Sequence, residues 1–471
     1  MILKDFLMMR HEILLTVVAM LILMMEIGWK KEERCSIKII STILFFIITV
    51  VGFLPIETGV LFGGMYHTTD LIITCKNILN IGVLIIFIQS SQWLKMEANS
   101  DKTSEYFLLI ISTLIGMNFM ISSGDFLMFY IGLELATIPA AALAALELTK
   151  NKSGEAGIKL ILSSALSSGI LLYGLSMIYG TTGSIYFSDV MAAMSQSSLQ
   201  VLAFIFFFAG MAFKISLVPF HLWTADVYEG APINVTSFLS VISKGAAVFI
   251  LTILLFTVFQ PIVHLWHNVI FAISILTMTV GNLFAIRQTN IKRFLAFSSI
   301  AQAGFILLGI MGDNTFGFAT IIYFVLIYIF SNLGAFGVAA AISNITGKEN
   351  IQDYNGLYQT NPRLSLTMML SLFSLAGIPP VAGFFGKFFL FTAAFQHGYY
   401  LLVFIAVVNT IISLYYYLLI VKAMFINKSD QPIQHFNNDF MTRLGLIICV
   451  IGMIVIGFAS PILEYLNKLS F

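Results

Sequence analysis

Apolar stretches long enough to cross a bilayer follow one another along nearly the whole chain, and this restricts its fold more than any motif does. A membrane-crossing helix needs roughly 20 residues at about 1.5 Å rise each. Reading the chain on that length gives about fourteen spans, at 12–28, 37–54, 70–90, 105–122, 125–147, 156–180, 200–221, 233–258, 265–286, 294–312, 316–343, 364–396, 400–425 and 442–463. The expected fold is therefore an all-α, multi-pass integral membrane protein. Composition agrees, since 59% of the 471 residues are hydrophobic and 10% charged, an apolar load that one soluble core cannot bury. A net charge of +1 gives no long-range attraction to nucleic acid or to an anionic substrate. Cys35, Cys75 and Cys449 are scattered and form no C-x-x-C pair, so they read as packing residues rather than as an iron–sulfur, zinc or disulfide framework. The first apolar stretch is followed by charge and lacks a cleavage-site pattern, so it reads as a span and not as a removable signal.

Basic residues in short loops stay on the cytoplasmic side. Loops after odd-numbered spans carry Lys30, Lys31, Arg34, Lys38, Lys95, Lys102, Lys150, Lys152, Arg287, Lys292, Arg293, Lys348, Arg363, Lys428 and Arg443. The opposite face has only Lys4, Arg10 and Lys468, all near the termini. Dropping one span would swap the side of every later loop, so this asymmetry supports the span count. Both termini are expected on the non-cytoplasmic side.

Inside the spans stand Glu134, Lys159, Lys214, Lys244 and Lys387. An ionisable group at membrane depth is costly and is retained mainly where charge movement is the task. Lys244 lies roughly 18 Å and Glu134 roughly 14 Å along their spans, near mid-membrane. Lys159 is only about a turn from the cytoplasmic end. Lys76 and Lys422 are close enough to span ends to snorkel their ammonium groups to the interface.

Two of these lysines accompany helix breakers. Pro219 follows Lys214 by five residues, and Pro379, Pro380 and Gly383 precede Lys387. A mid-membrane break frees backbone groups that must find water, side chains or ions, so broken helices line hydrated cavities. Ordinary proline kinks with incidental lysines are the plainer alternative. Breaks in the seventh and twelfth spans, running in opposite directions, fit two inverted five-helix repeats at 105–258 and 265–425. Three helices at 1–104 and a C-terminal helix within 426–471 complete one polytopic domain.

Other polar residues carry weaker signals. His221 is either a proton relay at the cytoplasmic mouth or an interfacial histidine without that role. Asp226 and Glu229 occupy the one cytoplasmic loop without basic residues and suit proton gathering or docking of a neighbouring subunit. His264 and His267 have a metal-compatible spacing, but Trp266 between them points to a membrane-anchoring belt. No G-x-G-x-x-G follows a strand, so no nucleotide site is expected.

The runs TADVYEGAPINVTSFLSVISKGAA, NIKRFLAFSSIAQAGFILLGI and AGIPPVAGFFGKFFLF resemble the antiporter-like membrane subunits of respiratory complex I, the NADH-quinone oxidoreductase, most closely the subunit N branch. The resemblance covers nearly the whole chain, and the EGAP-x-x-VT-x-FLSV run carries most of its specificity. It implies that Glu134, Lys159, Lys214, Lys244 and Lys387 form a polar proton-relay axis along the midplane. Gln302 stands where relatives often have histidine, which puts a relay role there in doubt, although glutamine can hold water. It further implies no cofactor or metal in this chain, with NADH, FMN, iron–sulfur clusters and quinone in partner subunits. The implied partners are other complex I membrane subunits in a bacterial inner membrane. The expected function is proton translocation coupled to quinone reduction elsewhere. A stand-alone or Mrp-type cation/proton antiporter subunit, and a scaffold with vestigial charges, are the competing classes.

Overall fold

The computed structural model describes residues 6–29, 35–312, 314–429 and 431–469. Lys4, Lys30, Lys31, Arg34 and the Cys35 side chain fall outside the described residues; Cys75 and Cys449 are buried free thiols.

Among the described residues, twelve helices are long and apolar enough to cross a membrane, and two further apolar helices, Ser36–Gly52 and Pro362–Ala376, fall where the remaining expected spans lie. In chain order the helices are α1 (Arg10–Gly28), α2 (Cys35–Gly52), α3 (Asp70–Gln89), α4 (Thr103–Ile121), α5 (Phe126–Ala144), α6 (Asn151–Thr182) and α7 (Ser198–Ile215). A short α8 (Leu222–Gly230) leads to α9 (Ile233–Thr257), α10 (Val263–Ile286), α11 (Ile291–Ile310) and α12 (Asn314–Thr346). Then come α13 (Pro362–Ala376), α14 (Ala382–Gln396), α15 (Tyr400–Phe425), α16 (Phe440–Phe458) and α17 (Ser460–Lys468). An antiparallel hairpin of β1 (Gly59–Leu61) and β2 (Tyr66–Thr68) precedes α3.

Helix is the form these segments must take, because hydrocarbon offers no partner for a bare amide or carbonyl. Their starts are marked by side chains that accept from the first free amides: Thr69 from Ile72, Asp125 from Met128, and Asn290 from Lys292 and Arg293. Burial sorts the helices into layers. The apolar window of α12 is wholly enclosed and those of α9 and α11 are 94% buried, whereas that of α1 is 28% buried. α9, α11 and α12 therefore make the centre of the bundle; Lys244 stands on α9 itself, and the helices carrying Lys214 and Lys387 pack around this centre. Some sequence boundaries shift: the seventh span ends at Ile215 instead of 221, the sixth runs over Asn151–Thr182, and the twelfth is two helices, α13 and α14. The last span stops at Phe458, where a separate terminal helix begins.

Candidate functional site: a row of lysines across two broken helices

The two breaks have different local causes. α7 ends at Ser216, whose φ of 68° lies in the left-handed region. The chain then runs irregularly past Pro219 to α8, and one freed amide, that of Val218, donates to Thr277 Oγ1 at 3.1 Å. α13 closes on Gly377 at φ 85°, a conformation glycine adopts without steric cost, and Pro379 and Pro380 follow before α14. Gly383 lies in the first turn of α14, not in the break. A Cβ there would stand 1.7 Å from Ser374 O, so glycine is what lets the two half-helices touch. The Gly383 amide donates to Ser374 Oγ at 3.1 Å.

Lys214, in the last turn of α7, donates to Thr137 Oγ1 of α5 at 2.6 Å. Ser164, Ser167 and Ser168 of α6 line the cavity beside it, a hydroxyl-rich wall suited to water. Glu134 stands three residues before Thr137, and its Oε1 is buried without a hydrogen-bond partner among the described residues. Thr137 thus takes the contact that direct Glu134–Lys214 pairing would have made.

Lys244 follows a π-helical turn, Leu239–Ser243, within α9. Its side chain is 4% exposed, donates to Ser299 Oγ of α11 at 2.7 Å and lies 5.6 Å above the Tyr228 ring. Lys387 is 3% exposed, donates to Ala376 O at the break and lies 4.4 Å over the Phe305 ring. Ring faces and single oxygens can hold a cation without a full counter-charge.

Between these lysines runs a set of hydroxyls and amides that hydropathy reading overlooks. Ser298 Oγ and Tyr417 Oη are 2.5 Å apart, next in sequence to the Ser299 that holds Lys244. Gln302 donates to Tyr417 Oη at 3.3 Å and to Leu375 O at 3.0 Å, one residue from the Lys387 acceptor. Tyr328 Oη accepts from Asn332 at 2.5 Å and lies 3.3 Å from Ser240 Oγ. Gln302 stands out in the sequence; for the others the only sequence signal is Ser, Asn and Tyr inside spans. His221 is buried, and its Nδ1 lacks a partner among the described residues.

Lys159 does not join this row. Its side chain is 42% exposed and pairs with Glu155 at 2.7 Å and Asp226 at 3.0 Å. Arg293 bridges Asp226 at 2.7 Å and Glu229 at 3.1 Å, and Lys152 reaches Glu229 at 3.1 Å. Asp226 and Glu229 are thus neutralised by basic residues near the starts of α6 and α11. Burial pushes the Asp226 carboxyl up, but hydrogen bonds from Lys159 and Arg293 outweigh it and hold it below its usual range. The Glu229 carboxyl is lowered in the same balance by Lys152 and Arg293.

Two expectations are corrected. Lys76 does not snorkel: its side chain is 1% exposed and meets Glu12 at 2.6 Å, a partner 64 residues away on α1. Trp266 is not a membrane belt residue, since it is fully buried and donates to Phe259 O at 3.0 Å. His267 bonds Tyr399 Oη at 2.7 Å, and no group of metal-competent side chains occurs among the described residues. Lys422, as expected, is exposed near the end of α15.

Buried lysines, two of them beside helix breaks, in a multi-pass bundle are features of the antiporter-like class of membrane subunits. The chain belongs to the NADH:quinone oxidoreductase/Mrp antiporter transmembrane family, whose model matches residues 123–413. It is 51% identical over 460 residues to NADH-quinone oxidoreductase subunit N of Phocaeicola vulgatus, covering 98% of this chain and 97% of that one. Identity to subunit N of Azobacteroides pseudotrichonymphae is 47% over 472 residues, covering 99% and 98%. Among solved structures, a chain of respiratory complex I from Thermus thermophilus superposes with TM-score 0.81 at 25% identity, covering 97% of this chain and 99% of that one. A chain of the Mrp complex from a Dietzia species superposes at TM-score 0.83 with 19% identity over 99% and 96%, a likeness of fold alone.

Proposed function

We propose that this chain is the proton-translocating subunit N of a bacterial NADH-quinone oxidoreductase, moving protons through Lys214, Lys244 and Lys387 under the influence of Glu134. The observation that carries this reading is the burial of Lys244, held by Ser299 of α11, and of Lys387, lying over the Phe305 ring of the same helix, in a chain 51% identical to subunit N over 460 residues. Neighbouring titratable sites exchange protons as a coupled set. Glu134 influences Lys214 through its charge, beside the Thr137 hydroxyl that holds the ammonium. Lys159, with Asp226, gathers protons at the basic face. His221 serves the same mouth from the buried side.

Energy for this movement comes from electron transfer in partner subunits that carry NADH, FMN, iron–sulfur clusters and quinone. The partners within the membrane are neighbouring antiporter-like and small subunits. The basic loops face the cytoplasm of a bacterial inner membrane, and both termini face the other side. Lys244→Ala in a correctly assembled complex is expected to lower the protons moved per NADH oxidised. Full stoichiometry in that variant overturns the reading. Purification from native membranes without flavin and iron–sulfur proteins would point instead to a cation/proton antiporter.

A further inference from the structure

Away from the row of lysines the structure holds a second buried ion pair. The Lys76 ammonium meets Glu12 Oε1 at 2.6 Å and donates to the Tyr66 hydroxyl at 2.9 Å; that hydroxyl donates to Glu12 Oε2 at 3.0 Å. Exposure is 1% for the Lys76 side chain and 3% for that of Glu12. The other charged or titratable groups around the pair are His11, whose Nε2 is 2.9 Å from Asn77 Oδ1, Arg10, which donates to the Gly52 and Leu54 carbonyls, and the buried thiol of Cys75. A buried ion pair is often no more stabilising than apolar residues of the same volume, so fold stability alone does not explain it. Glu12 lies in the first turn of α1 and Lys76 in the second turn of α3, on the face opposite the basic loops.

Two helices lead from this pair toward the centre. On α3, Lys76 and Asn80 are one turn apart on the same face. On α4, Ser122 caps the helix beside the Tyr66 phenol, and Asn118 stands one turn before it. Asn80 and Asn118 are each 0% exposed, and none of their amide atoms has a hydrogen-bond partner among the described residues. A bare buried amide costs about 1–3 kcal/mol, and polar groups so placed are met by ordered water. Both helices pack on α9. Leu79, beside Asn80, contacts the backbone next to Lys244: a Cβ on Gly245 would lie 3.5 Å from Leu79 Cδ2.

We propose that Glu12, Lys76 and Tyr66 form a proton-release station on the face opposite the basic loops, connected to Lys244 by water held at Asn80 and Asn118. The proposal rests on the lysine relay described above. A proton leaving the Lys244 ammonium travels along the water, and the Glu12 carboxylate takes it. A new O–H bond forms, the ion pair with Lys76 breaks, and Lys76 keeps its own three protons. Loss of the Glu12 proton to solvent beyond the β1–β2 hairpin restores both the carboxylate and the pair.

The test uses the intact respiratory complex in sealed vesicles, with Asn80→Leu, Asn118→Leu and the double variant Glu12→Gln/Lys76→Met beside Lys244→Ala. Each is expected to lower protons moved per NADH to the level of Lys244→Ala, with assembly retained. If Lys244→Ala is impaired while any of the other assembled variants pumps in full, the release station is wrong and the lysine relay stands. If Lys244→Ala itself pumps in full, the relay reading fails first. Should the asparagine variants not assemble, high-resolution cryo-EM of the unaltered complex decides: ordered water contacting Asn80 and Asn118 supports the proposal, and a dry contact overturns it.

Discussion

The Lys214 ammonium donates to the Thr137 hydroxyl at 2.6 Å, while Glu134 sits three residues back on the same helix with one carboxylate oxygen unpartnered. The Thr137 hydroxyl in turn donates to Leu133 O at 2.6 Å, so it holds the ammonium without bridging it to the carboxylate. Thr137→Val keeps the shape and removes the acceptor, a loss of about 1.5–3 kcal/mol for a hydrogen bond to a charged group. Proton pumping in assembled complex should fall, but less than in Lys214→Met; measuring acidification against NADH oxidation ranks the two. Equal pumping by Thr137→Val and the unaltered complex would remove Thr137 from the path.

Ser299 holds the Lys244 ammonium at 2.7 Å and adjoins the Ser298–Tyr417 pair. Ser299→Ala should lower pumping several-fold, and Ser299→Thr, which retains the hydroxyl, should preserve most of it. The same vesicle assay reads both, and an identical loss in the two variants would mean that packing, not the hydroxyl, matters there.

Gly383 is required by the approach of α13 and α14, since a Cβ would meet Ser374 O at 1.7 Å. Gly383→Ala should destabilise the subunit by about 1–3 kcal/mol or more, as overpacking does. Gly169, on α6, has nothing within 4 Å of its virtual Cβ, and Gly169→Ala should be neutral or slightly stabilising. Thermal inactivation of the purified complex compares them directly.

Asp226 shows how the basic face responds to acid. Burial raises its carboxyl, yet hydrogen bonds from Lys159 and Arg293 leave it below the ordinary value near 3.9. A carboxyl lowered in the folded state contributes stability that is complete above the unfolded value and is lost as pH falls through the folded one. At 39% side-chain exposure, the contribution is about 0.2–1 kcal/mol. Asp226→Asn should therefore cost little at pH 7 and flatten the acid limb of a stability profile measured below about pH 4; an unchanged acid limb would argue that the pair is solvent-screened to nothing.

Hydropathy was enough to locate the spans, because a crossing helix leaves its full length in the chain as an apolar run. The positions of Lys244 and Lys387 were equally plain, since no span end lies within reach of either ammonium. Lys76 was misread for the same reason: its distance to the span end suggested snorkelling, and nothing local announces Glu12, 64 residues earlier. Trp266 misled because amphipathic rings at span entrances usually mark lipid, whereas here Phe259 O supplies an internal acceptor. Lys159 looked like a member of the buried row because α6 continues past the apolar run on which its boundary was drawn, and its partners lie on α8 and within its own first turns. The hydroxyls near Lys244 were invisible because serine and tyrosine are tolerated in spans for many reasons, and only the packing of α11 against α15 brings Ser298 and Gln302 to Tyr417.

The wide turn just ahead of Lys244 takes up one residue more than ordinary winding does, so the helix on either side of it keeps its own face. Removing one residue from 239–243 would tighten that turn to ordinary winding and leave both faces nearly as they are. Removing one from the regular stretch at 246–250 would instead rotate everything upstream against everything downstream by about 100°. Among natural variants of this chain, a single-codon deletion at 246–250 should silence the subunit even though every charged residue is still present, and one at 239–243 should be better tolerated.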